Sequence, residues 1–185
     1  DIDIEELRKQ NKPKGFLSRL FGKESVAEGG YEAWLARHKV DKRTLRRQKH
    51  AAFAQKPLIS IVIPLYCTPL PYLKELLESV RRQSYENWQL CLADGSPDDK
   101  AKEFIEKHYG REKRIVYRKL EENGGISANT NEAVALAAGE YLMLCDHDDT
   151  LEPDALYAIV KAINDTGADV LYTDEDKVSM DGRHY

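Results

Sequence analysis

From Pro57 onward, short apolar runs alternate with amphipathic stretches, and few folds accommodate that order. Residues 58–65 form an apolar, β-branched run of strand length, too short to span a membrane. Residues 70–83 then read as a helix, because Leu73, Leu76, Leu77 and Val80 recur at spacings of three and four. The spacing predicts further strands over 88–93, 114–120, 140–145 and 168–173. Helices are expected between them over 97–108, with Phe104 and Ile105 inward, and over 127–138 and 153–164. Strict strand–helix alternation implies an α/β fold, a mostly parallel sheet whose strands are joined by right-handed crossovers with helices on its faces. Ligands of such sheets bind beyond the carboxyl ends of the strands, where the loops gather.

Composition supports one packed core. Of 185 residues, 42% are apolar and 32% charged, which fits a folded chain and excludes a disordered one. The charge is unevenly placed: residues 1–56 carry 14 Lys and Arg against 8 Asp and Glu, and residues 57–185 carry 14 against 24. We therefore expect a basic helical extension over 1–56, preceding a domain over 57–185. Tyr31 to Gln55 has a loose helical pattern, with Trp34, Leu35, Leu45 and Phe53 among its charges. A basic leader of this kind suits a solvated helical face, or peripheral contact with the inner face of a membrane or with other domains. No nucleic-acid partner is expected. Cys67, Cys91 and Cys145 are odd in number and lack the C-x-x-C spacing, which predicts neither a disulfide framework nor a zinc site. The first residues, Asp1-Ile2-Asp3-Ile4-Glu5-Glu6, lack the basic and apolar regions of a secretory signal, and a cytoplasmic location is expected.

Four loops at the expected strand ends hold the chemistry. They are Pro64-Leu65-Tyr66, Asp94-Gly95-Ser96, Asn123-Gly124-Gly125 and Asp146-His147-Asp148-Asp149. The first three, each alone, are ordinary turn or packing residues. The acidic loop is different, because carboxylates so close repel one another unless a cation or solvent compensates. Asp146 and Asp148 can face one hard divalent ion, Mn²⁺ or Mg²⁺, which keeps waters and takes phosphate oxygens as its other ligands. Asp149 or Thr150 suits a helix cap.

In order along the chain, Ile-Val-Ile-Pro-Leu-Tyr (61–66), Leu-Ala-Asp-Gly-Ser (92–96), Asn-Gly-Gly-Ile-Ser-Ala-Asn-Thr-Asn (123–131), Gly-Glu-Tyr-Leu-Met-Leu-Cys-Asp-His-Asp-Asp (139–149) and Tyr-Thr-Asp-Glu-Asp-Lys (172–177) resemble the nucleotide-sugar half of family 2 glycosyltransferases. The resemblance covers about residues 57–185. It implies the Rossmann-like A-type glycosyltransferase fold, a nucleoside diphosphate sugar as donor, and Mn²⁺ or Mg²⁺ as cofactor. The leader also resembles that of bacterial enzymes building O-antigen, rhamnan or other surface polysaccharides, with a glycan or lipid-linked acceptor.

Carried over by this resemblance, Pro64, Leu65 and Tyr66 flank the base of a UDP- or dTDP-sugar, and Asp94 accepts its imide hydrogen. Asn123, Gly125 and Asn131 approach the nucleoside, and His147 lies beside it. Asp146 meets the ribose or metal, and Asp148 the metal. Thr130 departs from the Arg found there in many relatives. The family resembles inverting enzymes, in which a carboxylate deprotonates the acceptor. That base is expected beyond Tyr185, with Asp174 and Glu175 as weaker candidates, so the chain is expected to bind donor and transfer little sugar. Two alternatives stand beside this reading. One is a binding module without catalysis. The other is a haloacid dehalogenase-like phosphatase with Asp146 as nucleophile, since Asp146 to Leu151 fits D-x-D-x-T-L.

Overall fold

The computed structural model describes residues 30–177. They fall into two units: Val40–Thr173, and a second that contains helix α1 (Gly30–His38) and the residues from Asp174. Within α1 the Trp34 and His38 rings stack at 4.2 Å, one turn apart. The helices expected in residues 1–29 lie outside the described residues. The pattern over Tyr31 to Gln55 forms two helices rather than one, α1 and α2 (Lys42–Lys49). The reason is Asp41, whose carboxylate accepts the Thr44 N–H at 2.7 Å and starts α2 afresh.

The unit Val40–Thr173 is built on four parallel strands, β1 (Ile59–Leu65), β2 (Trp88–Asp94), β3 (Ile115–Lys119) and β4 (Tyr141–Leu144), in the order β3-β2-β1-β4. Helices α3 (Leu70–Arg81), α4 (Lys100–Tyr109), α5 (Ile126–Val134) and α6 (Ala155–Thr166) connect or follow them. Successive side chains on a strand point to opposite faces, so β1 divides its residues between two layers. Ile59, Ile61, Ile63 and Leu65 join Leu90 and Leu92 of β2 beneath Leu73, Leu76, Leu77 and Val80 of α3 and Leu156, Val160 and Ile163 of α6. Val62, Cys91 and Ala93 face the other way, onto Ala133 of α5. Both faces of β1 are covered, and its sequence is accordingly apolar except for the buried Ser60, whose Oγ donates to Gln89 Oε1 at 3.0 Å. Phe53, before the sheet, packs on Tyr85 and Tyr157 and belongs to the same core.

Two expected elements differ. Helix α5 ends at Val134 instead of running to 138. The next residues turn sharply because Gln89 takes both ends of the bend: its Oε1 accepts the Ala138 N–H at 2.9 Å and its Nε2 donates to the Leu136 carbonyl at 3.1 Å. The fifth strand expected over 168–173 does not form. Leu171 packs against the core and Tyr141 Oη donates to the Ala168 carbonyl, while Val170 and Tyr172 are 86% and 92% exposed. Two of its apolar side chains thus stay in solvent, and β4 pairs with β1 without a ladder from this segment.

Strand order places the site. From β1 the chain moves outward to β2 and β3, then crosses back to lay β4 on the other side of β1. The crevice at such a reversal, outside the carboxyl ends of β1 and β4, is where open α/β sheets bind ligands.

Candidate functional site

The carboxyl edge is pinned by the strand register, which sets Leu65 beside Asp94 and Asp94 beside Lys119. Gly95 N–H donates to the Leu65 carbonyl at 3.0 Å and Leu120 N–H to the Asp94 carbonyl at 2.9 Å, so three strand ends are laced together. Leu65 is buried, Pro64 half-buried, and Tyr66 stands 48% exposed with its ring free to meet a planar ligand. Asp94 is wholly buried. Its Oδ1 accepts the Ser96 N–H at 2.8 Å, its Oδ2 accepts the Tyr117 hydroxyl at 2.7 Å, and Lys119 Nζ stands 3.7 Å away. Ser96 Oγ in turn accepts the Cys67 N–H at 2.8 Å, tying the loop after β1 to the loop after β2. Burial, followed by the Asp94 carboxylate, pushes the Tyr117 phenol well up, so this hydroxyl remains a donor.

The loop after β3 is a preformed turn. Asn123 Oδ1 accepts the Gly125 N–H at 3.0 Å and Asn129 Nδ2 at 2.9 Å, and Asn129 Oδ1 accepts the Gly124 N–H at 3.1 Å. Gly125 has φ +83°, a left-handed conformation that favours glycine, and it opens α5 without a side-chain cap. The first N–H groups of α5, at exposed residues, thus have no side-chain cap and are open to solvent at the carboxyl edge. The residue that anchors the turn is Asn129, 3% exposed, and the side chain of Asn131 is exposed. Thr130 Oγ1 donates back to the Ile126 carbonyl.

After β4 the chain bends, with Asp149 N–H donating to the Asp146 carbonyl at 3.3 Å. Asp146 and Asp148 are exposed and His147 is half-buried. None of the ion pairs among the described residues involves Asp146 or Asp148. Their field is felt next door: burial first, then Asp149, Asp146 and Asp148, push the Cys145 thiol up to about 12. Among the described residues no group of three or more His, Cys, Asp or Glu encloses a metal. Two hard oxygen donors on an open bend fit an ion that takes most of its ligands from water and phosphate, as Mg²⁺ and Mn²⁺ do.

Asp174 and Glu175 fall outside the unit Val40–Thr173 and are exposed. Sequence reasoning missed Tyr117, Lys119 and Asn129 as parts of the site. Asn129 was visible inside the 123–131 run, whereas Tyr117 and Lys119 could be found only by pairing β3 with β2 in register. A cleft of about 360 Å³ beside them is lined by Arg118, Lys119, Leu120, Gly124, Asn129 and Glu132, among others.

The sequence matches the family model described as glycosyl transferase family 2 over residues 60–185. The chain belongs to that family. An uncharacterized protein of Sinorhizobium fredii is 44% identical over 130 residues, covering 68% of this chain and 14% of its own length. The O-antigen biosynthesis protein RfbC of Myxococcus xanthus is 30% identical over 154 residues, covering 82% of this chain and 12% of its own. The chain thus spans about one eighth of the length of these family members. Among solved structures, S. aureus TarS 1–349 in complex with UDP-GlcNAc superposes with a TM-score of 0.55 at 27% identity, over 60% of this chain and 32% of that one. The likeness is to the Rossmann-like A-type fold of such transferases. No helix among the described residues is long and apolar enough to cross a membrane.

Proposed function

We propose that this glycosyltransferase chain binds the donor of an inverting transfer, a UDP- or dTDP-sugar, whose sugar passes to a glycan or lipid-linked acceptor in surface-polysaccharide synthesis in the cytoplasm. The observation that carries the proposal is the convergence of Asp94, the Asn123–Gly125 turn and the Asp146–Asp148 bend on one sheet edge, at the β1/β4 reversal. In this reading Tyr66 stacks on the base and Asp94 accepts its imide hydrogen, which uracil and thymine both carry and cytosine lacks. Asp94 is covered in the present structure, so the base must displace neighbouring atoms to reach it. Asn123, Gly125 and Asn131 border the nucleoside, with Pro64, Leu65 and His147 alongside. Asp146 meets the ribose or the metal, and Asp148 the metal.

A divalent ion held by Asp146 and Asp148 would neutralise the negative charge that builds on the departing diphosphate. The chain's own residues do the rest by holding the donor: the uncapped start of α5 suits an oxygen-rich ligand, and the laced strand ends fix its place. The base that deprotonates the acceptor is expected after Tyr185. The basic extension over 1–56 is proposed to contact a membrane face or another domain. A phosphatase role for Asp146 finds no support in a member of this family. The test is calorimetry of UDP and dTDP with and without Mn²⁺. Binding enhanced by Mn²⁺ in the wild type and not in Asp148→Ala supports the reading, and equal enhancement in both overturns the metal assignment.

A further inference from the structure

At the carboxyl edge the Asp94 carboxylate is wholly buried, and two of its partners come from β3, a strand that carries no expected site residue. Tyr117 and Lys119 stand two apart on β3, so both side chains emerge on the same face of the sheet. The register sets Tyr117 beside Leu92 and Lys119 beside Asp94. The Tyr117 hydroxyl donates to Asp94 Oδ2 at 2.7 Å, and Lys119 Nζ lies 3.7 Å from the same oxygen. Lys119 also donates to the carbonyls of Ser96, at 2.6 Å, and Asp98, and pairs with Asp99 at 3.9 Å. Its ammonium thus fixes the whole turn that follows β2. With Ser96 N–H on Oδ1, each oxygen of Asp94 has one donor in place. A carboxylate offers about four acceptor positions, so further acceptor capacity is left over.

We propose that Tyr117 and Lys119 are positioning residues for base selection: they hold Asp94 in one orientation with its spare acceptor capacity turned to the imide of a pyrimidine-dione base. The inference rests on the reading of Asp94 given above. Lys119 supplies the cation that a buried carboxylate needs. Tyr117 limits rotation, because turning the carboxyl away would leave a half-buried hydroxyl without its acceptor. A carboxylate so fixed meets the N3–H of uracil and repels cytosine, which presents a lone pair there.

The experiment measures UDP and CDP affinity by calorimetry for the wild type, Tyr117→Phe, Lys119→Met, Lys119→Arg and Asp94→Asn, each checked for folding by circular dichroism. Tyr117→Phe should weaken UDP, by at most about tenfold to a hundredfold, the worth of one hydrogen bond to a charged group. Its CDP affinity should move little, so that the UDP preference collapses. Lys119→Met should do the same, and Lys119→Arg should keep the preference. A purely structural role would weaken both nucleotides by the same factor, and that result overturns the proposal. If Asp94→Asn retains the wild-type preference, the base reading fails and this inference with it. If Asp94→Asn loses the preference while Tyr117→Phe and Lys119→Met keep it, Asp94 stands and the positioning role alone is refuted.

Discussion

Replacing Asn129 by Ala probes whether one buried amide holds the turn proposed to border the nucleoside. Asn129 is 3% exposed, and its amide both donates to Asn123 Oδ1, at 2.9 Å, and accepts the Gly124 N–H, at 3.1 Å. Both partners lie at the surface, so water replaces what they lose and the cost stays in the neutral range. At about 0.5–1.5 kcal/mol for each bond, the substitution should destabilise by about 1–3 kcal/mol. For a domain of this size, each kcal/mol lowers Tm by roughly 2–8 °C. The same amide limits a neighbour. A Cβ built on Gly95 would stand 2.8 Å from Asn129 Nδ2 and 3.2 Å from Asn123 Cα. Gly95→Ala should therefore push the Asn129 amide out of its hydrogen bonds, a penalty that is already spent when Asn129 is Ala. The double variant should be more stable than the sum of the single costs, by about 0.5–3 kcal/mol, the usual coupling for touching residues. Urea unfolding of the four proteins measures this coupling, and UDP calorimetry on the same set should show weaker binding wherever the turn is released. Additive costs, or an Asn129→Ala protein as stable as the wild type, would refute the claim that this amide organises the turn.

Four further outcomes can be checked. Asp148→Ala should leave the unfolding midpoint unchanged, because its carboxylate is exposed and belongs to no ion pair among the described residues, while Mn²⁺ no longer strengthens UDP binding. The Tyr109 phenol is pushed up to about 12, by burial first and then by its hydrogen bond to Glu78. Its stabilising contribution is therefore intact below about pH 10, where the unfolded phenol titrates, and is lost as the pH rises toward 12; urea midpoints of Tyr109→Phe should lack that part of the decline. Thiol labelling of the native protein at neutral pH should be fast at exposed Cys67 alone, since burial pushes Cys91 up to about 11 and burial with nearby carboxylates pushes Cys145 up to about 12; UDP should slow the Cys67 reaction, because Cys67 follows Tyr66. Leu77→Ala, at a fully buried position of α3, should cost about 2–5 kcal/mol in denaturant unfolding.

The fold was legible where one side chain pattern had one physical cause. The Leu73, Leu76, Leu77 and Val80 spacing found α3, and the apolar run over 58–65 found a strand covered on both faces, because periodicity and burial are local consequences of the backbone. The segment over 168–173 reads as a strand by the same rule, yet a strand exists only with a ladder partner, and pairing is a property of two segments at once. The end of α5 was missed for a similar reason: Ala135 to Ala138 suit a helix, and the bend is imposed by Gln89, from another strand. Within the site, the loops at strand ends were visible as residue types. That Asn129 anchors the turn depended on which face of α5 meets Gly95, a packing fact.

The two acidic groups of this edge are built in opposite ways, and the contrast fits different tasks. Asp94 is fully buried, and a buried carboxylate is tolerable only with donors and a cation in place; Ser96, Tyr117 and Lys119 provide them. Its geometry is thereby fixed before any ligand arrives, as discrimination between donor and acceptor edges of a planar ring requires. Asp146 and Asp148 are exposed and carry no ion pair among the described residues, so their charge is balanced by solvent. Such a pair gains most from a divalent ion, which releases water and relieves their repulsion in one step. Exchanging the two environments would defeat both proposed tasks: an exposed Asp94 would lose orientation, and a buried Asp148 with its own lysine would have no charge left to offer an ion.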